Sequence, residues 1–268
     1  MKKVVLAYSG GLDTSYCLKY LKNEKGYEVH TVLINTGGFD DEELQAIEDR
    51  AYELGSAKHA NLTILDKYYD KAIKYLIYGN VLKNNTYPLS VSAERVFQAI
   101  EAIKYAKSVG ASAIAHGSTG AGNDQIRFDL IFQTIAPEIE IITPIRDLKL
   151  SRQEEVDYLA KNGVHYSWEK AQYSINKGLW GTSVGGKETL TSHEALPSEA
   201  YPSQLQKQGE EKVTLEFNEG QLVAVNGKKD TPPNNIVILE KLANAYAIGR
   251  DIHVGDTIIG IKGRVGFE

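Results

Sequence analysis

Through the first 165 residues, short apolar runs of strand length alternate with longer stretches of helical character. That alternation restricts the fold more than any other feature of the chain. Residues 4–8, 28–35, 59–65, 111–116 and 140–143 read as strands, and 14–23, 41–54, 67–78 and 93–109 as helices. The rhythm predicts the α/β class: a parallel sheet flanked by helices on both faces, with ligands gathered beyond the carboxyl ends of the strands. After about residue 165 the rhythm changes. Residues 174–186 are rich in glycine and serine, and 197–208 form a polar, proline-marked connection. Residues 213–217 and 221–225 alternate like strands, Asn226-Gly227 is a turn signal, and 236–247 reads as a helix. A second, α+β domain is expected, with the division at 1–165 and 166–268.

A chain of 268 residues with 42% hydrophobic content can bury a core in each of two domains. Thirty basic against 35 acidic residues leave a net charge of −5, which excludes a surface built for coating nucleic acid. Cys17 is the single cysteine, so neither an intrachain disulfide nor a cysteine-rich zinc site can form. It falls among apolar neighbours and is expected in the core. The six histidines show no metal-ligand spacing, and His116, at the end of a strand, is expected to be packed and hydrogen-bonded. Trp168 and Trp180 are expected to pack, the latter close to Ser183. The apolar run behind Met1-Lys2-Lys3 breaks at Ser9, short of the roughly 7–15 residues of a secretory core. No run approaches the about 20 apolar residues of a membrane span. The expectation is a cytoplasmic protein without membrane or nucleic-acid partners.

The segment Ala7-Tyr8-Ser9-Gly10-Gly11-Leu12-Asp13-Thr14-Ser15 joins the first strand to the first helix. Glycines there let the chain turn sharply and aim successive N–H groups, with a helix N-terminus behind them, at one anion. Ser9, Thr14 and Ser15 can add hydroxyl donors. No Gly-Lys-[Ser/Thr] follows, so this is not a Walker loop. A metal ion is then the natural neutraliser of a triphosphate, with Asp13 a candidate for orienting it. The bland alternative is a tight turn in which Asp13, Thr14 or Ser15 caps the helix.

A second glycine-rich segment, Ala115-His116-Gly117-Ser118-Thr119-Gly120-Ala121-Gly122-Asn123-Asp124-Gln125-Ile126-Arg127-Phe128, follows another buried strand. Thr119, Asn123, Asp124 and Arg127 supply a hydroxyl, an amide, a carboxylate and a guanidinium within nine positions. Such a set can satisfy both the ammonium and the carboxylate of an amino acid. Asn123 and Arg127 share a face if the segment is helical. The bland alternative is a helix start carrying a surface Arg127–Asp124 pair.

Together the two segments resemble the N-type ATP pyrophosphatases, and within them the argininosuccinate synthase family in particular. The similarity runs along the whole chain. The resemblance implies an adenine nucleotide α-hydrolase-like, Rossmann-type first domain and a ligase that joins citrulline to aspartate. Such a ligase cleaves ATP, with Mg2+, to AMP and pyrophosphate through a citrullyl-adenylate, in arginine biosynthesis. It implies that Ala7, Tyr8, Ser9, Gly10, Gly11, Leu12, Asp13, Thr14, Ser15, Ile34 and Gly117 bind ATP. Thr119, Asn123 and Asp124 would hold aspartate. Tyr87, Ser92, Asn123, Arg127, Ser174 and Ser183 would hold citrulline. Asp13, Asp124 and Arg127 are the implied catalytic set, with no dedicated metal ligands, no covalent nucleophile and no nameable general base. From the residues alone, Ser92 follows Pro88 as a plausible helix cap, and Ser174 and Ser183 would be ordinary loop serines.

Some positions depart from the family pattern. Asn35 and Asn176 stand where it usually has Asp, Gly178 where it has Asn, and Gly185 where it has Glu. A citrulline-binding Glu falls on Gly255, with Asp256 one position along, and a Tyr falls on Phe267. These changes leave the ATP and aspartate assignments intact and weaken the citrulline assignment in the second domain. Relatives usually continue for more than a hundred residues, so the second domain is expected to be incomplete and the family's homotetramer weakened. The alternatives are a tRNA-modifying ATP pyrophosphatase and a nucleotide-binding paralogue without full catalysis. The lone, badly placed cysteine and the negative net charge argue against the first.

Overall fold

A computed structural model describes residues 2–120, 122–166, 173–258, 260 and 262–268. Tertiary contacts divide it into two compact units. The first comprises Met1–Asn35, Phe39–Thr63 and Arg95–Ala171; the second comprises Thr36–Gly38, Ile64–Glu94 and Gln172–Glu268. The segment 64–94, through which the strand–helix alternation runs unbroken, therefore groups with the second unit.

The first unit is built on a five-stranded sheet of β1 (Lys3–Ala7), β2 (Glu28–Asn35), β3 (Lys58–Thr63), β4 (Ala113–Ala115) and β5 (Glu140–Ile142). All neighbours pair in parallel, in the order β3-β2-β1-β4-β5. The order reverses between β1 and β4, which makes the space beyond their carboxyl ends the switch point where ligands bind such sheets. The helices are α1 (Leu12–Asn23), α2 (Asp41–Glu53), α5 (Ser90–Ser108, shared between the units), α6 (Asp124–Ile135), α7 (Pro144–Leu148) and α8 (Arg152–Lys161); α3 and α4 belong to the second unit. α2 and α8 each open on a capping box, Asp40 with Glu43 and Ser151 with Glu154. Leu6, Cys17, Leu18, Leu21, Val29 and Leu33 are among the buried residues of the core that α1 and α2 share with the sheet. Cys17 is wholly buried, as expected, and burial pushes its thiol up.

In the second unit, α3 (Leu65–Tyr68) and α4 (Lys74–Tyr78) are joined through a π turn, so the helix starts at the point where the third strand was expected to end. Two antiparallel sheets follow. β8 (Leu215–Asn218), β9 (Gln221–Val225) and β10 (Lys228–Lys229) form one, with the Asn226-Gly227 turn at positive φ in both residues. α9 (Pro232–Asn244) is pinned to that sheet by the buried Asn235, whose amide donates to the Leu222 and Asp230 carbonyls. The other sheet holds β6 (Ser174–Gly178), β7 (Gly181–Gly185), β11 (Asp251–Asp256) and β12 (Lys262–Phe267), in the order β11-β12-β7-β6.

Thr36–Gly38 joins the second unit through the β6–β7 turn. The Leu179 N–H donates to the Thr36 carbonyl at 2.8 Å, and a Cβ on Gly38 would lie 2.1 Å from the Lys177 carbonyl oxygen. Backbone cannot yield there as a side chain could. Gly38→Ala is expected to destabilise the chain by about 1–3 kcal/mol, and Gly185→Ala, whose Cβ would meet nothing, by less than about 0.5 kcal/mol. Chemical denaturation of both variants checks this; equal midpoints would contradict the close approach.

Candidate active site

The first loop leaves β1 at Ala7 and enters α1 at Leu12. Tyr8 is buried and still follows the sheet, its N–H donating to the Val32 carbonyl at 2.9 Å. Gly10 adopts φ +74°, a conformation that only glycine adopts freely. Its carbonyl accepts from Arg50 Nη1 at 2.6 Å, so α2 fixes the turn from below. The Arg50 guanidinium is itself sandwiched over the Tyr166 ring, 4.7 Å from its centroid, and the Tyr166 hydroxyl donates to Glu53.

Gly11 occupies the cap position of α1 and no side chain caps it. The capping alternative for Asp13, Thr14 or Ser15 therefore does not hold, and the helix N-terminus keeps its positive dipole end for a ligand. Thr14 Oγ1 lies 3.4 Å from both the Ser9 N–H and Ser9 Oγ, and it donates to the Gly11 carbonyl at 3.3 Å. Ser9 and Thr14 thus sit together on the rim. Ser15 is fully buried and faces Tyr8, whose hydroxyl burial pushes up to about 12. Of the three hydroxyls expected to face a ligand, that of Ser15 is enclosed, while Ser9 and Thr14 reach the surface.

Asp13 points toward α8, where its carboxyl neighbours that of Glu155, which is only 3% exposed. Burial first, and the Asp13 charge second, push Glu155 up to about 8; burial raises Asp13 as well. The two carboxyls disfavour each other's charge, and Arg152 offsets part of it.

The second loop leaves β4 at Ala115 and enters α6 at Asp124, with Asn123 in the cap position and the Arg127 N–H on the Asn123 carbonyl. A Cβ on Gly117 would lie 3.2 Å from Asp13 Cβ and 3.3 Å from Thr14 Cγ2. Glycine is what allows the two loops to touch, and they touch at the switch point. His116 is packed and hydrogen-bonded, as expected, with Nε2 2.9 Å from Asp129 Oδ1. Ala121 lies outside the described residues.

Asp124 lies in a fork of two arginines. Arg127 Nη1 donates to its Oδ1 at 2.7 Å, and Arg95 Nε, from α5, donates to its Oδ2 at 3.0 Å. Arg95 Nη1 also reaches Gln98 Oε1 at 2.7 Å, and Gln98 Nε2 donates to the Ile34 carbonyl at 3.4 Å. The expected Arg127–Asp124 pair is therefore present, but half-buried and part of a larger network that ends on the backbone of Ile34.

The remaining implied citrulline residues lie in the second unit. Tyr87 is buried, stacked on His253 at 5.2 Å and tilted against Phe267 at 5.8 Å. Phe267 pairs with Ser183 across β12 and β7, and Ser183 with Asn176 across β7 and β6, where Asn176 Nδ2 approaches Ser183 Oγ at 3.5 Å. Cross-strand partners share a face, and Ser174 joins Asn176 by strand alternation. Ser174, Ser183 and Phe267 thus lie on strands, not on the loops expected for the serines, and Tyr87 packs against Phe267 from the segment before α5. Ser92 lies inside the first turn of α5, which opens at Ser90, and so does not precede the helix as its cap. Asn123 and Arg127, the other implied citrulline residues, belong to the first unit. Trp180 packs in the β6–β7 turn, its Nε1 donating to the Pro88 carbonyl at 3.0 Å. Trp168 lies outside the described residues.

Of the departures from the family pattern, Asn35 braces its own loop through the Phe39 backbone. A side chain at Gly178 would collide with Glu94 Oε2, 2.2 Å from the Cβ position. At Gly255 a Cβ would meet His253 Nε2 at 2.7 Å, so an imidazole fills that space. β11 and β12 pair in regular register through Gly255 and Asp256, which puts these neighbours on opposite faces. Asp256 therefore does not take the place of a carboxylate at 255.

Two glycine loops meeting at the switch point of a parallel sheet, with a second unit attached, define a nucleotide-binding α/β protein. The family model described as "Arginosuccinate synthase N-terminal HUP domain" matches residues 3–165, and "Arginosuccinate synthase C-terminal domain" matches residues 173–268. Proteins named argininosuccinate synthase from Methanocaldococcus jannaschii, Xylella fastidiosa and Sulfolobus acidocaldarius are 39%, 39% and 36% identical to it. Those alignments cover 98%, 100% and 99% of this chain and 67%, 68% and 68% of the relatives. The chain belongs to the argininosuccinate synthase family, which are ligases that form a C–N bond. Among the described residues, no helix is long and apolar enough to cross a membrane.

Proposed function

We propose that this chain joins citrulline to aspartate at the expense of ATP. The ureido oxygen of citrulline attacks the α-phosphorus, expelling pyrophosphate and leaving a citrullyl-adenylate. The aspartate amine, once deprotonated, then attacks the ureido carbon and expels AMP. The observation that carries this reading is the contact of Gly117 with Asp13 and Thr14, which joins a lysine-free phosphate loop to a loop rich in amino-acid-binding groups.

In this reading the residues 7–15 hold the nucleotide, with the α1 N-terminus, Ser9 and Thr14 facing its phosphates and Gly117 and Ile34 lying against it. Ser15 and Tyr8 support the loop from beneath. Thr119, Asn123 and Asp124 hold aspartate. Asn123, Arg127, Tyr87, Ser92, Ser174 and Ser183 hold citrulline. Acceleration comes from positioning and from fixed dipoles meeting the developing charge. Mg2+ is an oxygen-seeking ion usually carried in on phosphates. Among the described residues no group of three His, Cys, Asp or Glu could hold a metal. The donors therefore fit an ion that arrives with ATP and neutralises its charge there. A cytoplasmic location and a homotetramer belong to the same reading.

The test is to incubate the chain with ATP, Mg2+, citrulline and aspartate, omitting each amino acid in turn. Pyrophosphate and AMP are expected as the immediate products, with sustained turnover only when both amino acids are present. ADP and orthophosphate as the only products would overturn the reading.

A further inference from the structure

One chain of hydrogen bonds grips the second loop at two points, and it passes through a histidine that the proposed chemistry leaves without a role. His116 is 1% exposed. Its Nδ1 accepts from the Ser118 N–H at 3.2 Å, and its Nε2 lies 2.9 Å from Asp129 Oδ1 on α6. The other Asp129 oxygen accepts from Arg146 Nη1 of α7 at 2.6 Å. The same nitrogen reaches Gln125 Oε1 at 3.1 Å, and Gln125 Nε2 returns to the loop at the Gly120 carbonyl, 2.6 Å away. Stacking on Phe128 at 5.4 Å, with Phe132 at 6.3 Å, restrains the ring.

A backbone N–H can donate only to an unprotonated ring nitrogen. The Ser118 contact therefore makes Nδ1 the acceptor and puts the ring proton on Nε2, facing Asp129. The charged groups around the ring are Asp129 from α6, Arg146 from α7 behind it, and Asp13 of the first loop, which borders Gly117. Asp129 favours a cationic ring, while Arg146 and the Ser118 N–H oppose one. A proton on Nδ1 would set two N–H groups against each other at 3.2 Å, and the buried ring has no room to turn. The loop would have to move.

We propose that neutral His116 is a positioning residue, holding the Ser118–Gly120 backbone where nucleotide and aspartate meet it, and that its protonation releases this loop and slows the reaction in acid. The proposal rests on the reading that this loop serves those substrates. Its device is the Asp129–Arg146–Gln125 chain, which couples Ser118 to Gly120.

Two substitutions separate the ring's two jobs. His116→Asn puts an acceptor oxygen near the Nδ1 position and cannot titrate. His116→Gln reaches toward Asp129 and leaves the Ser118 N–H without its acceptor. In wild type, kcat/KM for aspartate is expected to fall in acid more steeply than protonation of the substrate amine alone allows. H116N should lose that extra steepness and keep only the limb of the substrate amine, whatever its absolute rate, and H116Q should raise the aspartate KM about tenfold at every pH. Nitrogen-15 NMR of the wild-type ring and of the Ser118 amide should show both shifting with one midpoint. If H116N fails to fold, Asp129→Asn should move the extra steepness to lower pH. Extra steepness kept in H116N or unmoved in D129N, or a Ser118 amide indifferent to protonation of the His116 ring, would overturn the proposal. Failure of wild type to form AMP and pyrophosphate would overturn the functional reading alone, because the NMR titration still decides the loop.

Discussion

Replacing Asp124 by alanine is expected to lower kcat/KM for aspartate by about 100-fold or more, while adenylate formation from ATP and citrulline falls far less. The carboxylate lies between Arg127 at 2.7 Å and Arg95 at 3.0 Å, and the three side chains are 33%, 17% and 14% exposed. Removing it leaves two half-buried guanidiniums facing each other without their shared anion. Stranding one buried partner of an ion pair costs about 3–5 kcal/mol when burial is complete, and partial exposure of Asp124 reduces that. A hundredfold effect corresponds to about 2.7 kcal/mol, within the discounted range. Asp124→Asn keeps an acceptor oxygen, loses the charge, and should fall between wild type and alanine. Because Arg127 also loses its anchor, a modest rise in citrulline KM should accompany the change. AMP release with and without aspartate separates the two half-reactions, and an unchanged aspartate KM and kcat would contradict the role of Asp124.

Much of the first unit was legible because parallel strands buried on both faces are written as continuous apolar runs. β2 falls on residues 28–35 as read, β4 falls inside its expected run, and β1 begins and ends one residue ahead of its own. α8 was missed although Ser151 and Glu154 stand at capping-box spacing, because its ten residues are mostly polar and bury little beyond Glu155 and Leu159. α6 was left conditional for the opposite reason, since its glycine-rich approach masked the start. In the second unit, β6, β7, β11 and β12 carry too many glycines, serines and charged residues to announce strands. What makes them a sheet is pairing between distant segments, such as Phe267 with Ser183, and no local pattern records that.

The site divides in the same way. The glycine loops could be read from their residues because a sharp turn accepts few side chains, and a Cβ on Gly117 would crowd Asp13 at 3.2 Å. Arg50 and Arg95 could not, although one holds the Gly10 carbonyl and the other Asp124. They act from 40 and 29 positions away, and an arginine on an amphipathic helix looks like any solvated charge. Glu155 gave no signal for the same reason.

Glu155→Gln is expected to stabilise the protein above about pH 8 and to flatten its pH profile. Burial and the neighbouring Asp13 raise the Glu155 carboxyl from its ordinary 4.5 to about 8 in the folded chain. A carboxyl whose folded value lies above its unfolded one binds its proton more tightly when folded. Its contribution to stability is then fully present below about pH 4.5 and disappears as pH climbs through about 8. The wild type should lose at most about 5 kcal/mol of stability over that window, less where Arg152 and solvent screen the pair. Glutamine keeps the shape of the side chain and carries no charge to bury beside Asp13. Denaturant melts at about pH 5, 7 and 9 should therefore show the two proteins close together in acid and diverging in base, with E155Q the more stable. Parallel curves would mean that Glu155 is ionised at little cost. Divergence would show that Glu155 keeps its proton beside Asp13, directly beneath the first glycine loop.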